Sequence, residues 1–345
     1  MSIIRQKDQS VETLRGAAII LVVIGHVIGS GPEGGMRVAD DSFMRHFYYT
    51  FEYLRMPLFT VISGWVYALH PADFSQLKSF IIKKVCRILL PMIFVGTAYF
   101  LLQYFTPGTN MKGKLSEIWQ ILVFPYSLFW YLPALFIVFI IVALIDALEK
   151  LNTFTNWLVI VGITLLLLIF RGSYIPLNAP NYFCYQGAIY LLPFFLIGVG
   201  IKRFNRFFID NTFTAILLCI LLISLTVQQL AWYGIIQYNL SKGSGVGLLI
   251  GLAGTMLLFR LKWRVKWLIW FGSYAYTIFL FHSFGTAGGR IITNKIGIHA
   301  TPVIFILSLI CGLFVPVLAE LILDKNGVAR MVFLGRSYNK AQKGE

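Results

Sequence analysis

The stretch LRGAAIILVVIGH, Leu14 to His26, is an unbroken apolar run with an arginine near one end and a histidine at the other. Its length and lack of turn residues predict a helix buried in lipid or in other helices. Arg15 and His26 are eleven residues apart. In a helix that is about 16 Å of rise and about 20° of residual rotation, so both side chains share one face. The arginine sits at the mouth of the helix and the histidine deep inside it. An ionisable group at membrane depth is costly and points to function.

The surrounding composition supports a membrane setting. Of 345 residues, 58% are hydrophobic and only 12% charged, about half the charged share of a soluble domain. The sequence therefore predicts an all-α polytopic membrane protein in contact with membrane lipid. Thirty Phe, seventeen Tyr and eight Trp fit interfacial aromatic belts. About ten apolar segments are long enough to span, at roughly 13–30, 47–69, 81–105, 128–148, 155–171, 184–201, 213–232, 244–260, 267–284 and 302–323. These spans use up the length, so 1–345 reads as a single integral-membrane domain with a tail at 324–345. The first apolar run has no small-x-small site before the next span, which reads as a retained helix rather than a cleaved signal.

The formal charge of +15 suggests nucleic acid in a soluble protein. Here it reads as the positive-inside signal, with no nucleic-acid partner. Nineteen Lys and Arg fall on the side of the N-terminus, among them Arg5, Lys7, Lys340 and Lys343, against eight on the opposite side, including Lys112 and Lys242. That imbalance puts both termini in the cytoplasm, as an even number of spans requires. Cys86, Cys184, Cys219 and Cys311 are scattered without a CxxC spacing, so neither a metal site nor a disulfide framework is expected. The opposite loops at 31–46, 106–127 and 285–301 carry Gly, Pro, Asn and Lys but no readable ligand motif.

Other polar groups lie within the spans. In FEYLRMPLFTVISGWVY, Phe51 to Tyr67, Glu52 and Arg55 share a helix face and are placed to pair. Pro57 is expected to kink that helix, and Ser63-Gly64 permits close backbone approach. The third span opens KKVCRILLP, with Lys84 and Arg87 a turn apart. They read as ordinary cytoplasmic charge or, beside Arg15, as an anion cradle able to bind phosphates. The late run FGSYAYTIFLFHS, Phe271 to Ser283, places His282 near the external end of its helix. Ser273, Tyr274 and Tyr276 lie near the internal end, and by themselves these four read as interfacial.

In order and spacing, these pieces resemble the acyltransferase-3 family of bacterial integral-membrane acyltransferases. The resemblance is carried by the Arg15…His26 pair, Pro57-Leu58-Phe59 with Ser63-Gly64, and Lys84-x-x-Arg87 followed by Pro91. The FWYLPALF run at Phe129–Phe136 and the FGSYAYTIFLFH run complete it. It covers most of the chain. Glu12 stands where the family more often has Asp, and Lys84 where it often has Arg. The second change weakens bidentate phosphate binding, because an ammonium acts as a point charge.

The resemblance implies O-acyl transfer, usually of acetyl, from cytoplasmic acyl-CoA to a hydroxyl of a cell-surface or lipid-linked glycan at the bacterial cytoplasmic (inner) membrane. It implies no permanently bound cofactor, since acyl-CoA is the donor substrate. Arg15, Lys84 and Arg87 are then the candidates to hold the donor's phosphates. The distance from Arg15 to His26 is of the order of an extended pantetheine arm. An imidazole can take the hydroxyl proton as it attacks the thioester, so the candidate catalytic set is His26, Arg15 and Glu52. Glu12 and Glu52 are both able to orient Arg15 or His26. The competing reading is a transporter or flippase for a lipid-linked saccharide, which ten spans with buried charges also fit.

Overall fold

The computed structural model describes residues 8–110, 113–176 and 178–338. Arg5, Lys7, Lys112, Lys340 and Lys343, which entered the charge count above, lie outside the described residues. Among the described residues the chain is helical without a strand. The longer helices are α1 (Gln9–Ile28), α2 (Phe43–Tyr67), α3 (Phe74–Phe105), α4 (Tyr131–Ala147), α5 (Phe154–Ile169), α6 (Tyr185–Arg203), α7 (Asn211–Trp232), α8 (Gly245–Leu261), α9 (Lys266–Lys295), α10 (Thr301–Leu323) and α11 (Gly327–Leu334). Each of the ten apolar segments lies on one of α1 to α10. Six helical stretches are long and apolar enough to cross a membrane: α1, α3, the stretch ending in α4, α6, α7 and α10. The remaining four fall short for two physical reasons. At 16 and 17 residues, α5 and α8 are short. By contrast, α2 and α9 are long but carry the charged and imidazole groups of the interior.

Local chemistry sets several helix starts. Asp8 caps α1, its carboxylate accepting from the backbone N–H of Ser10 at 2.9 Å and from the Ser10 hydroxyl at 2.7 Å. Burial alone would raise its pKa, but these bonds prevail and hold the carboxyl below its ordinary value. Ser42, Thr153, Asp210 and Ser244 cap α2, α5, α7 and α8 in the same way. The α2 helix runs on through Pro57. Within α3, Val85–Leu89 widens into a π-helical stretch that contains Arg87; such bulges are frequent at functional sites.

The tightest packing joins α1 to α9, α9 to α10 and α2 to α6. Glycines make these contacts possible. A Cβ on Gly16 of α1 would lie 2.0 Å from the Leu268 carbonyl oxygen of α9, and one on Gly272 would lie 2.2 Å from the Glu12 carbonyl oxygen. The α2–α6 contact has the same reciprocal form, with Gly64 against Phe195 and Gly198 against Val61. Close backbone approach of this kind drives helix association where lipid removes the hydrophobic incentive. The peripheral α7 instead turns Ile216, Leu222 and Ile223 outward, as a lipid-facing helix does.

The expected loop at 285–301 is corrected by the structure: α9 continues to Lys295. The glycines that read as a loop are a packing surface. Gly285 lies against the Cys311 backbone and Gly289 against Ser308, both on α10. His282 is therefore in mid-helix rather than near an end.

One buried ion pair ties α4 to α6. Both guanidinium Nη atoms of Arg203 donate to the Asp146 carboxylate at 2.7 Å, and the Tyr67 hydroxyl donates to it at 2.9 Å. Replacing Arg203 with methionine leaves that carboxylate buried with one neutral donor. The expected cost is about 3 kcal/mol of stability, because an orphaned buried charge loses its compensation. Thermal unfolding of the purified protein in detergent measures it, and an unchanged transition would contradict the assignment.

Candidate functional site

His26 lies in the last turn of α1, on the wall of a cavity of about 870 Å³. The imidazole is accessible from this cavity. Among the described residues it makes no hydrogen bond to another protein group, so both ring nitrogens are available.

The neighbour that the structure supplies is His282 of α9. The two ring centroids are 4.9 Å apart and the rings are inclined at 51°. His282 is wholly buried. Its Nδ1 lies 2.9 Å from the carbonyl oxygens of both Ile278 and Phe279. That contact assigns the proton to Nδ1 and leaves Nε2 as an acceptor, and Nε2 is buried without a hydrogen-bond partner among the described residues. The glycine clasp explains why the two rings meet. Gly16 to His26 and Gly272 to His282 are each ten residues, about 15 Å of helix. Two helices locked in register at the glycines bring the histidines level.

Glu52 and Arg55 of α2 also line the cavity. The expected ion pair between them does not form: among the described residues no carboxylate lies within 4.0 Å of Arg55. The Arg55 guanidinium instead lies over the Tyr48 ring, 4.2 Å from its centroid, and against Gly25, where a Cβ would collide with it. The absent side chain at Gly25 thus makes room for a cation beside His26. Glu52 stays on the cavity wall, within electrostatic range of Lys242.

The mouth of the cavity is built from the turn after α1 and from the segment before α8. Gly29 and Gly35 take positive φ angles of 89° and 50°, conformations that a side chain would strain. Arg45 of α2 donates to the Gly29 carbonyl and Arg290 of α9 to the Gly35 carbonyl. Asn110 donates to the same Gly35 oxygen at 3.2 Å. From the segment before α8, Lys242 reaches the cavity with its ammonium 5.4 Å from the Trp130 ring centroid. Burial by surrounding protein lowers the Lys242 pKa; Glu52 opposes that shift and Arg55 adds to it.

Arg15, Lys84 and Arg87 are not on this cavity. Arg15 pairs with Glu12 at 2.7 Å, so of the two acids weighed from sequence it is Glu12 that holds Arg15. Arg15 and Arg87 lie within electrostatic range of one another. The Tyr276 hydroxyl donates to the Arg87 carbonyl oxygen and so ties α9 to the π-helical stretch of α3. Lys84 points its ammonium at the face of Phe139, 3.6 Å from the centroid. The structure thus gathers a basic cluster at one end of α1 and an imidazole cavity near the other. Between them on α1, Ala18 and Ile19 are wholly buried.

Sequence reading missed the pairing of His282 with His26, and the roles of Lys242, Trp130 and Tyr276 in these two clusters. For His282 a signal existed, since an imidazole within an apolar span is as costly there as His26 is. For the others none did, because a loop lysine and an interfacial aromatic look ordinary until the helices pack.

A family model described as an acyltransferase domain matches residues 8–321, nearly the whole chain. No curated protein and no solved structure matches it.

Proposed function

The chain belongs to the acyltransferase-3 family, and we propose that this membrane acyltransferase moves an acyl group from acyl-CoA on the cytoplasmic side to a hydroxyl of a glycan. Acetyl is the favoured group, and the glycan is cell-surface or lipid-linked. The protein works as one domain with ten spans and both termini in the cytoplasm of a bacterial inner membrane. The nineteen-to-eight distribution of basic residues supports that orientation.

The observation that carries the reading is the His26 imidazole on a large cavity, level with His282 and beside the Arg55 guanidinium, which has no ion pair among the described residues. A sugar hydroxyl is a weak nucleophile at neutral pH. In the proposed step His26 takes its proton while the oxygen bonds to the thioester carbon. The carbon–sulfur bond then breaks, and the CoA sulfur leaves with the proton returned by the imidazolium. General-base help of this kind contributes about a hundredfold to ten-thousandfold. His282 acts as a positioning residue, its ring fixed by the two backbone carbonyls. Glu52 serves from the cavity wall. Arg15, oriented by Glu12, joins Arg87 and Lys84 in holding the donor's phosphates at the cytoplasmic end. The pantetheine arm enters between the helices and reaches toward His26, about 16 Å deeper by helix rise.

A carrier for a lipid-linked saccharide would also use the cavity, but it gives the cytoplasmic cluster of Arg15 and Arg87 no task. The deciding experiment supplies radiolabelled acetyl-CoA to the full chain in nanodiscs and follows binding and thioester loss. Saturable binding with slow hydrolysis is expected. No saturable binding of acetyl-CoA, succinyl-CoA or longer donors would overturn the reading. Within this assay, Arg15→Ala and Arg87→Ala are each expected to raise the KM for acetyl-CoA about tenfold, the effect of losing a charged hydrogen bond. The KM for an acceptor should stay as it was. An unchanged donor KM in both variants would remove these residues from the phosphate site.

A further inference from the structure

Among the described residues, none of the three cations on the cavity wall forms an ion pair within 4.0 Å. Arg55 is only 8% exposed, and its Nε is buried without a hydrogen-bond partner among the described residues. Lys242 is exposed, and Glu52 acts on it from beyond ion-pair distance. Glu33 and Glu52 share the cavity, yet neither comes within 4.0 Å of either cation. Arg290, the third cation of the wall, is engaged by the Gly35 carbonyl. An unpaired buried charge costs several kcal/mol, so a guanidinium given room by the absent side chain at Gly25 points to an anion that arrives from outside. A guanidinium suits carboxylate and phosphate alike, because its fork matches two oxygens at once.

We propose that the cavity binds an anionic acceptor, a saccharide carrying a carboxylate or a phosphate, with its negative group at Arg55 and Lys242 and a free hydroxyl at His26. The inference rests on the acyl-transfer reading for the role of the hydroxyl, but not for the anion. The donor's own phosphates are an inferior candidate. The residues assigned to them, Arg15, Lys84 and Arg87, do not line this cavity. Trp130, beneath the Lys242 ammonium, adds a flat apolar wall against which a sugar ring can lie.

Calorimetric titration of the full chain in nanodiscs tests this with three probes: methyl glucuronide, glucose 1-phosphate and methyl glucoside. At least one charged sugar should bind about tenfold more tightly than the neutral one, and the tighter of the two identifies carboxylate or phosphate as the preferred group. Arg55→Gln and Lys242→Gln should each erase the difference. Because Lys242 lies outside the helices, its variant remains informative if Arg55→Gln fails to fold. Equal binding of all three sugars, or binding of none, would overturn the proposal, as would discrimination that survives both substitutions. Charge discrimination in a protein that binds no acyl-CoA would keep the anion site and discard acyl transfer. Acyl-CoA use without discrimination would do the reverse.

Discussion

Replacing His26 with alanine is expected to lower acyl transfer about a thousandfold, the middle of the range for loss of a general base. That corresponds to about 4 kcal/mol of transition-state stabilisation. The prediction follows from how little else His26 does. Its imidazole faces the cavity and makes no hydrogen bond among the described residues, so removing it breaks no structural bond. The variant should insert and unfold like the parent, and acetyl-CoA should still bind, since its phosphates are assigned to the other end of α1. The rate of thioester loss in the presence of a saccharide acceptor is the readout. His282→Ala gives a useful contrast. It removes a buried ring whose Nδ1 serves two backbone carbonyls, so it should cost stability as well as rate. Activity within tenfold of the parent in His26→Ala would eliminate His26 as the base.

Leucine at Gly16 is expected to destroy activity without touching a reacting group. Any Cβ there meets the Leu268 carbonyl at 2.0 Å, and a Cβ on Gly272 would meet the Glu12 carbonyl from the other side at 2.2 Å. Both obstacles are backbone, so neither can swing away as a side chain would. Overpacking of a core costs about 1–3 kcal/mol when neighbours can shift; here α1 and α9 must separate along their tightest stretch. The same separation pulls His26 away from His282, whose rings stand 4.9 Å apart only because the clasp sets the register. A lowered thermal transition together with lost acyl transfer is the expected pair of results. Gly162→Leu in α5 is the control, for a Cβ there has nothing within 4 Å. Equal tolerance of leucine at both positions would refute the clasp.

Much of the fold was legible because lipid simplifies the code. A span must satisfy its backbone internally, so a long apolar run is a helix, and all ten apolar segments lie on helices. The errors came where one residue type has two uses. Glycine marks a turn at Gly29 and Gly35 but a helix contact at Gly285 and Gly289, and spacing alone does not separate them. Glu52 and Arg55 share a face as i and i+3, but Tyr48 and the space at Gly25 offered the guanidinium a different neighbour.

The sequence by itself determined the helical membrane class, the family, and the common face of Arg15 and His26, because these depend on composition and on the period of a single helix. Tertiary structure decided which groups share a cavity. It brought His282 to His26, kept Arg55 and Lys242 out of ion pairs among the described residues, assigned Glu12 to Arg15, and buried Ala18 and Ile19 between the two ends. Those outcomes depend on register and crossing between helices far apart in sequence, and the glycine contacts that fix them act only once two backbones meet.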